Sequence, residues 1–370
     1  MNRPIRILHV FSSLNMGGAE SRTMDIYRRI DREKVQFDFA VHTTEEAYYD
    51  KEVERLGGLI YNIPKYKIYN TYSYQKFWYE FLKNHSEFDT IHIHTTSIAA
   101  PILSVTKKLE LKKVITHSRN AMQTGFLKNI YIKLSKKKIK DLSTHRLAVS
   151  NKAARYIYGD KLVDANGVHI VKNGINVSEF TYSEDVRNKT RELLGLTNET
   201  VIGHIGRFVE QKNHSFIIEI FKEFCTKNEN ARLVLIGVGP LEQVIREKVM
   251  ELKLTDKVLF LGLRNDVTDL MQAMDLLLFP SLFEGLPGVI LESQAAGLPA
   301  LISSEISDEI KITDLVEMLD LSTTSSYWAT KMKQMLESLT RINTRAELID
   351  AGYDIESVAK WYEDFYFKAN

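Results

Sequence analysis

Short apolar runs alternate with amphipathic segments along the whole chain, and no other feature narrows its folding choices as much. Residues 5–11, 37–41, 59–63, 90–94, 113–117 and 146–149 read as strands, being brief, apolar and flanked by polar or glycine-bearing turns. A second series follows at 201–206, 232–236, 258–261, 276–280 and 299–303. Helical patterns such as 215–227 and 241–252 separate most of them. Strands joined through helices run parallel with right-handed crossovers, which predicts an α/β chain of two doubly wound, Rossmann-like domains. Its 370 residues suit two domains of ordinary size. The polar, strand-poor stretch 175–200, carrying one short helix at 184–194, marks the boundary. The domains are therefore 1–178 and 179–354, followed by an aromatic helical tail at 355–370.

A hydrophobic content of 44% with 26% charged residues belongs to a globular chain. The one cysteine, Cys225, excludes an internal disulfide, fits a reducing compartment and is expected on a helix. The opening IRILHVFSSL runs straight into MGGAES and reads as a first strand, not a leader. No run of eighteen apolar residues exists, so no membrane span is expected. Net charge is +1, yet residues 101–150 hold twelve Lys and Arg against two Asp and Glu. The densest part, KLSKKKIK, opens on Lys133 and closes on Lys140. With Ile130, Leu134 and Ile139 it could set an apolar stripe among lysines against an anionic membrane; a solvated basic face is the equal alternative. No nucleic-acid-binding signature accompanies it.

The segment FPSLFEGLPGVILESQAAGLP (279–299) carries the most chemistry. A buried strand leads into a loop with Glu284, Gly285, Leu286, Pro287 and Gly288, then into a helix containing Glu292. Pro287 suits the first helical turn. Free N–H groups and the positive dipole end of such a helix suit a diphosphate. Glu284 could reach a sugar hydroxyl, and Glu292 could hold a ribose. In GRFVEQKN, Arg207 and Lys212 flank a turn after a strand, and two fixed cations can stabilise a departing diphosphate without a metal. Gly17 and Gly18, in NMGGAES after the first strand, permit close backbone approach to a ligand. His117 closes a strand in VITHSRN, ahead of Arg119 and Asn120. His92 and His94 share a strand face with no carboxylate beside them, so no metal site is expected.

The frame F-E-G-x-P-x-x-x-x-E with A-A-G-L-P after it, together with G-R-x-x-x-x-K-N, resembles retaining glycosyltransferases of the GT-B fold, group 1, most of all the branch that builds bacterial capsule and exopolysaccharide. The resemblance implies two Rossmann-like domains facing a central cleft, with the last helix returning to the N-terminal domain. It implies transfer of a sugar from a UDP or GDP donor, without cofactor or metal, to a glycan or polyprenyl-linked hydroxyl, in the cytoplasm or at the inner membrane face. It assigns catalytic places to His117, Arg207, Lys212 and Glu284. Donor binding falls to Gly17, Gly18, Asn173, Arg264, Gly285, Leu286, Pro287, Gly288 and Glu292, with the backbone near Arg264 at the nucleobase. Arg119 and Asn120 would shape the acceptor side, and Asn173 with Gly174 would turn the chain into the cleft. A nucleotide-sugar 2-epimerase and a non-catalytic partner of a transferase stay open beside this reading.

Overall fold

The computed structural model describes residues 3–119 and 126–367. They form two compact units, Met1–Ile175 with Asp354–Asn370, and Asn176–Tyr353.

The first unit is built on seven parallel strands: β1 (Ile5–Phe11), β2 (Val35–Val41), β3 (Ile60–Asn62), β4 (Thr90–Ile93), β5 (Lys113–Ser118), β6 (His145–Ala148) and β7 (His169–Ile170). They lie in the order β3-β2-β1-β4-β5-β6-β7, so chain direction across the sheet reverses between β1 and β4. One face packs Leu8, Val10, Ile91, Ile93 and Val114 against Trp78, Ile102 and Ile157. The other packs Ile7, Phe37, Phe39 and Ile115 against Met24 and Tyr27 of one helix and Tyr362 and Tyr366 of another. Burial on both faces explains why these strands read as continuous apolar runs. Asp38 is the charged exception in β2: fully buried, it accepts from Arg6 Nε at 2.6 Å and Nη2 at 2.5 Å, and from the Leu59 amide at 2.7 Å.

The C-terminal helix Ile355–Phe367 belongs to this unit. The ammonium of Lys113 donates to the carbonyls of Phe365 and Tyr366 and lies 4.2 Å from the Phe365 ring centroid. Those carbonyls form the negative end of the helix, so a buried cation docks there favourably. Gly174 serves the same docking: a Cβ there would stand 2.9 Å from Ile355 Cα. Its requirement is close packing of the helix backbone.

The second unit holds β8 (Thr200–Ile205), β9 (Ala231–Ile236), β10 (Val258–Phe260), β11 (Leu276–Phe279), β12 (Ala300–Ser303) and β13 (Val316–Leu319). All are parallel, in the order β10-β9-β8-β11-β12-β13, with the reversal between β8 and β11. Ile202, Leu233, Leu276 and Leu301 pack on Ile217, Phe221, Trp328 and Met332. Strands β7 and β13 escape the sequence reading: one has two residues, and Val316–Leu319 carries Glu317 on an edge.

Two expectations change. Pro287 is the N-cap of the helix Gly288–Ala295, with φ −70° and ψ 118°, so Gly288 takes the first helical place. In the helix Phe126–Leu142, Ile139 is fully buried against the first sheet, so it does not join an outward apolar stripe. Lys133, Lys137 and Lys138 are exposed, whereas Lys136 stacks 3.9 Å from the Tyr156 ring. The described part of the basic segment is thus a charged face without an apolar one. Ile130 and Leu134 lie outside the described side chains, and Asn120 lies outside the described residues. Among the described residues no helix is long and apolar enough to cross a membrane.

Candidate functional site

In doubly wound sheets, ligands bind at the carboxyl ends of strands where the strand order reverses, because adjacent loops there leave toward opposite faces. In the second unit that point lies between β8 and β11. The loop after β8 carries Arg207 and Lys212, and the loop after β11 carries Glu284 to Gly288. The sheet order therefore brings together two segments that lie far apart in sequence.

Backbone and side-chain bonds hold the two loops against each other. The Leu282 amide donates to Gln211 O at 2.9 Å, Gln211 Nε2 donates to Phe283 O at 2.9 Å, and Asn213 Nδ2 donates to Pro280 O at 3.2 Å. Asn213 adopts φ 56°, the left-handed region that asparagine tolerates. It ends the turn begun at Glu210 and caps the helix His214–Cys225. Lys212 Nζ donates to Glu284 Oε1 at 2.5 Å, with side chains only 16% and 12% exposed, and also sits 4.5 Å from the Phe279 ring centroid. Arg207 is exposed on the same loop as Lys212. Gly285 is half-buried, Leu286 and Pro287 are buried, and Glu292 is half-buried on the helix.

The neighbouring loops close in without side chains. Gly237 has φ 135°, and a Cβ on it would stand 2.1 Å from Gly206 O; one on Gly239 would stand 2.6 Å from Phe208 O. The amide of Phe208 donates to Val238 O at 3.1 Å and that of Gly237 to Gly262 O at 2.8 Å. The segment GVG thus serves as a spacer between β8 and β10, whose following loop carries exposed Leu263 and half-buried Arg264. Arg264 Nε donates to Asp266 Oδ1 at 2.7 Å, which fixes that side chain beside its own loop. Hence Arg207, Lys212, Glu284, Arg264 and the 285–288 loop all belong to one strand-end edge of one sheet. A cavity of about 750 Å3 lies at the opposite, amino end among Arg187, Arg191, Asp275 and Arg341, where Arg187 bonds Asp275 at 2.5 Å.

In the first unit the reversal falls between β1 and β4. Gly17 is the N-cap of the helix Gly18–Arg29, and a Cβ on Gly18 would meet open space. Asn173 is half-buried on a loop of its own, next to Gly174 at the C-terminal helix. His117, at the end of β5, is 1% exposed, and Arg119 is turned inward, with Nε donating to His94 Nδ1 at 3.1 Å and Nη2 donating to Thr23 Oγ1 at 3.3 Å. His9 joins His92 and His94, a residue that pattern reading of IHIHTT alone missed. One nitrogen from each lies within 4.8 Å of the others. Imidazoles suit zinc, copper or nickel, but these rings do not radiate from a common point. The His92 and His94 rings stack at 4.1 Å and 23°, and His9 Nδ1 meets His94 Nε2 at 2.9 Å. The set fits a hydrogen-bonded stack better than a metal cage.

Two parallel sheets, each with its reversal loops gathered at the carboxyl edge, define a doubly wound α/β protein built to bind ligands there. Residues 186–312 match the family described as Glycosyl transferases group 1, and residues 16–179 match Glycosyltransferase Family 4. The chain is 32% identical over 329 residues to the putative glycosyltransferase EpsF of Bacillus subtilis, covering 88% of this chain and 86% of that protein. It is 26% identical to the capsular polysaccharide biosynthesis glycosyltransferase CapH of Staphylococcus aureus, covering 92% and 93%. In fold it is similar to HepE from Anabaena, solved in complex with UDP-glucose, with a TM-score of 0.80 at 17% identity over 98% of this chain and 99% of that one. The chain belongs to the group 1 glycosyltransferases and has the GT-B fold, with relatives in polysaccharide biosynthesis.

Proposed function

We propose that this glycosyltransferase moves a sugar from a UDP or GDP donor to a hydroxyl of a glycan or polyprenyl-linked acceptor, with retention, in capsular or exopolysaccharide synthesis. The observation that carries the reading is the Lys212–Glu284 pair at the strand-order reversal of the second sheet. Donor binding exchanges partners: Lys212 turns to phosphate oxygens, and Glu284, released, accepts from hydroxyls of the transferred sugar. Arg207 adds a second cation to the diphosphate, and amides of residues 285–288 complete it. Glu292 accepts from the donor ribose, and the loop at Arg264 meets the base. His117 donates to a substrate hydroxyl, and Gly17 and Gly18 let a ligand approach the backbone.

In the step itself the acceptor oxygen bonds to the anomeric carbon as its bond to the phosphate oxygen breaks. The electron pair leaves with the diphosphate, which takes the acceptor proton on the same face. The developing charge meets two fixed cations, so this chemistry runs without a metal. The capsular role of CapH and the UDP-glucose held by HepE favour this substrate class. The exposed lysines 133, 137 and 138 favour an anionic surface near the acceptor at the cytoplasmic membrane face, through charge alone.

Incubating the protein with single nucleotide sugars and no acceptor tests the reading by proton NMR of the anomeric signals. Slow release of the sugar, first seen in the anomeric configuration of the donor, is expected. Epimerised sugar, or release first in the opposite configuration, contradicts it.

A further inference from the structure

Four histidines, His9, His92, His94 and His117, cluster on one face of the first sheet, each between 1% and 8% exposed. Two hydrogen-bonded chains run through them. Arg119 Nε meets His94 Nδ1 at 3.1 Å, and His94 Nε2 meets His9 Nδ1 at 2.9 Å. Tyr366, from the C-terminal helix, meets His92 Nδ1 through its hydroxyl at 2.7 Å, and His92 Nε2 meets His117 Nδ1 at 3.2 Å.

Donor and acceptor roles follow from what each group can do. Burial pushes all four imidazoles well below their usual range, so each carries one proton. Arginine only donates. His94 Nδ1 therefore accepts, and its proton sits on Nε2, directed at His9. The second chain has two possible senses. If the Tyr366 hydroxyl donates to His92 Nδ1, then His92 Nε2–H donates to His117 Nδ1, and His117 carries its proton on Nε2. Run the other way, the Tyr366 hydroxyl proton has no acceptor among the described residues, and His117 Nε2 is left as a bare lone pair. Burial also keeps the Tyr366 phenol protonated. The first sense satisfies every group of its own chain but the last: among the described residues His117 Nε2 has no hydrogen-bond partner, as His9 Nε2 has none at the end of the other chain. A buried donor left open at the end of a satisfied chain is a place made for an acceptor oxygen.

We infer that Tyr366, acting through His92, is a positioning residue that fixes the ring proton of His117 on Nε2 and presents it to a substrate hydroxyl oxygen. The inference rests on the reading of His117 as a substrate-facing group. It gives the C-terminal helix a chemical task beyond packing, because Lys113 anchors the carbonyls of Phe365 and Tyr366 and so sets where the hydroxyl stands.

Long-range proton–nitrogen NMR on the full chain with labelled histidine reads the tautomers directly, without turnover. Wild-type His117 is expected as the Nε2–H form. In Tyr366→Phe, His92 Nδ1 loses its donor, nothing holds the chain in one sense, and an Nδ1–H form of His117 appears beside the Nε2–H form. With a donor that is turned over, kcat/KM of Tyr366→Phe falls roughly tenfold, as for one lost hydrogen bond in the transition state. An Nδ1–H form in the wild type, which needs no variant, overturns the relay, and so does an unchanged Nε2–H form in Tyr366→Phe. A tautomer shift with unchanged turnover overturns the substrate-facing half. Failure to turn over any nucleotide sugar while the tautomers shift as expected would count against the transferase reading alone.

Discussion

At the residue scale, the candidate site residues were legible by type and by strand end but not by partner. Arg207, Lys212, Glu284 and Glu292 could be picked out because their spacing around glycines is unusual; that Lys212 and Glu284 grip each other at 2.5 Å required strand order. His117 was legible as a strand-end histidine, but not its burial, since nothing in VITHSRN shows that β1 and β4 place His9 and His92 beside it. The buried histidines carry a pH consequence. Burial holds His9, His92, His94, His117 and His204 well below 6.5, and desolvation, then the nearby Lys212, brings His214 to about 4. Below pH 6.5 the unfolded chain binds protons the folded chain refuses, so stability present above that pH is lost as pH falls toward the folded values. His214 alone accounts for about 3 kcal/mol between pH 6.5 and 4. Denaturant midpoints should therefore fall steeply from pH 7 to pH 5. A flat profile would mean these groups are protonated when folded.

At the element scale, eleven strands are visible in the sequence because parallel strands buried on both faces must be apolar throughout. The two that are not visible, β7 and β13, are short edge strands whose pairing comes from neighbours. Glycines were legible as turns but not as contacts. Gly237 illustrates the difference: its φ of 135° and the 2.1 Å approach of Gly206 O to a Cβ make it the wedge that lets β9's loop pass under β8's. Gly237→Ala should cost at least about 2 kcal/mol from backbone strain and displace the Arg207 loop. A thermal melt checks the first effect and donor affinity the second; a variant as stable as the wild type would show the strain relieved elsewhere. The Gly288–Ala295 helix is held likewise by a buried residue the sequence does not advertise. Gln294 donates to Ile290 O and Ile310 O and accepts from Ile312 and Thr313, fixing the helix whose first turn follows the site loop.

At the scale of the whole molecule, each unit repeats one solution: a parallel sheet whose order reverses beside its first strand, with polar and glycine-bearing loops gathered at that edge. Alternation of strands and helices in the sequence predicted the class of fold; the order of strands, which decides what meets what, depends on packing between distant segments. The C-terminal helix shows this most plainly, since its place against β5 depends on Lys113, some 250 residues earlier. The central claim is that the carboxyl edge of the second sheet binds a nucleoside diphosphate through Arg207 and Lys212. Calorimetric titration of the full chain with UDP and with GDP tests it most directly, run in parallel on Arg207→Ala, whose exposed side chain contributes little to the fold. At least one of the two nucleotides is expected to bind, and the variant to bind it at least tenfold more weakly, about 1.4 kcal/mol, with an unchanged melting temperature. Binding of neither nucleotide, or equal binding by the variant, would contradict it.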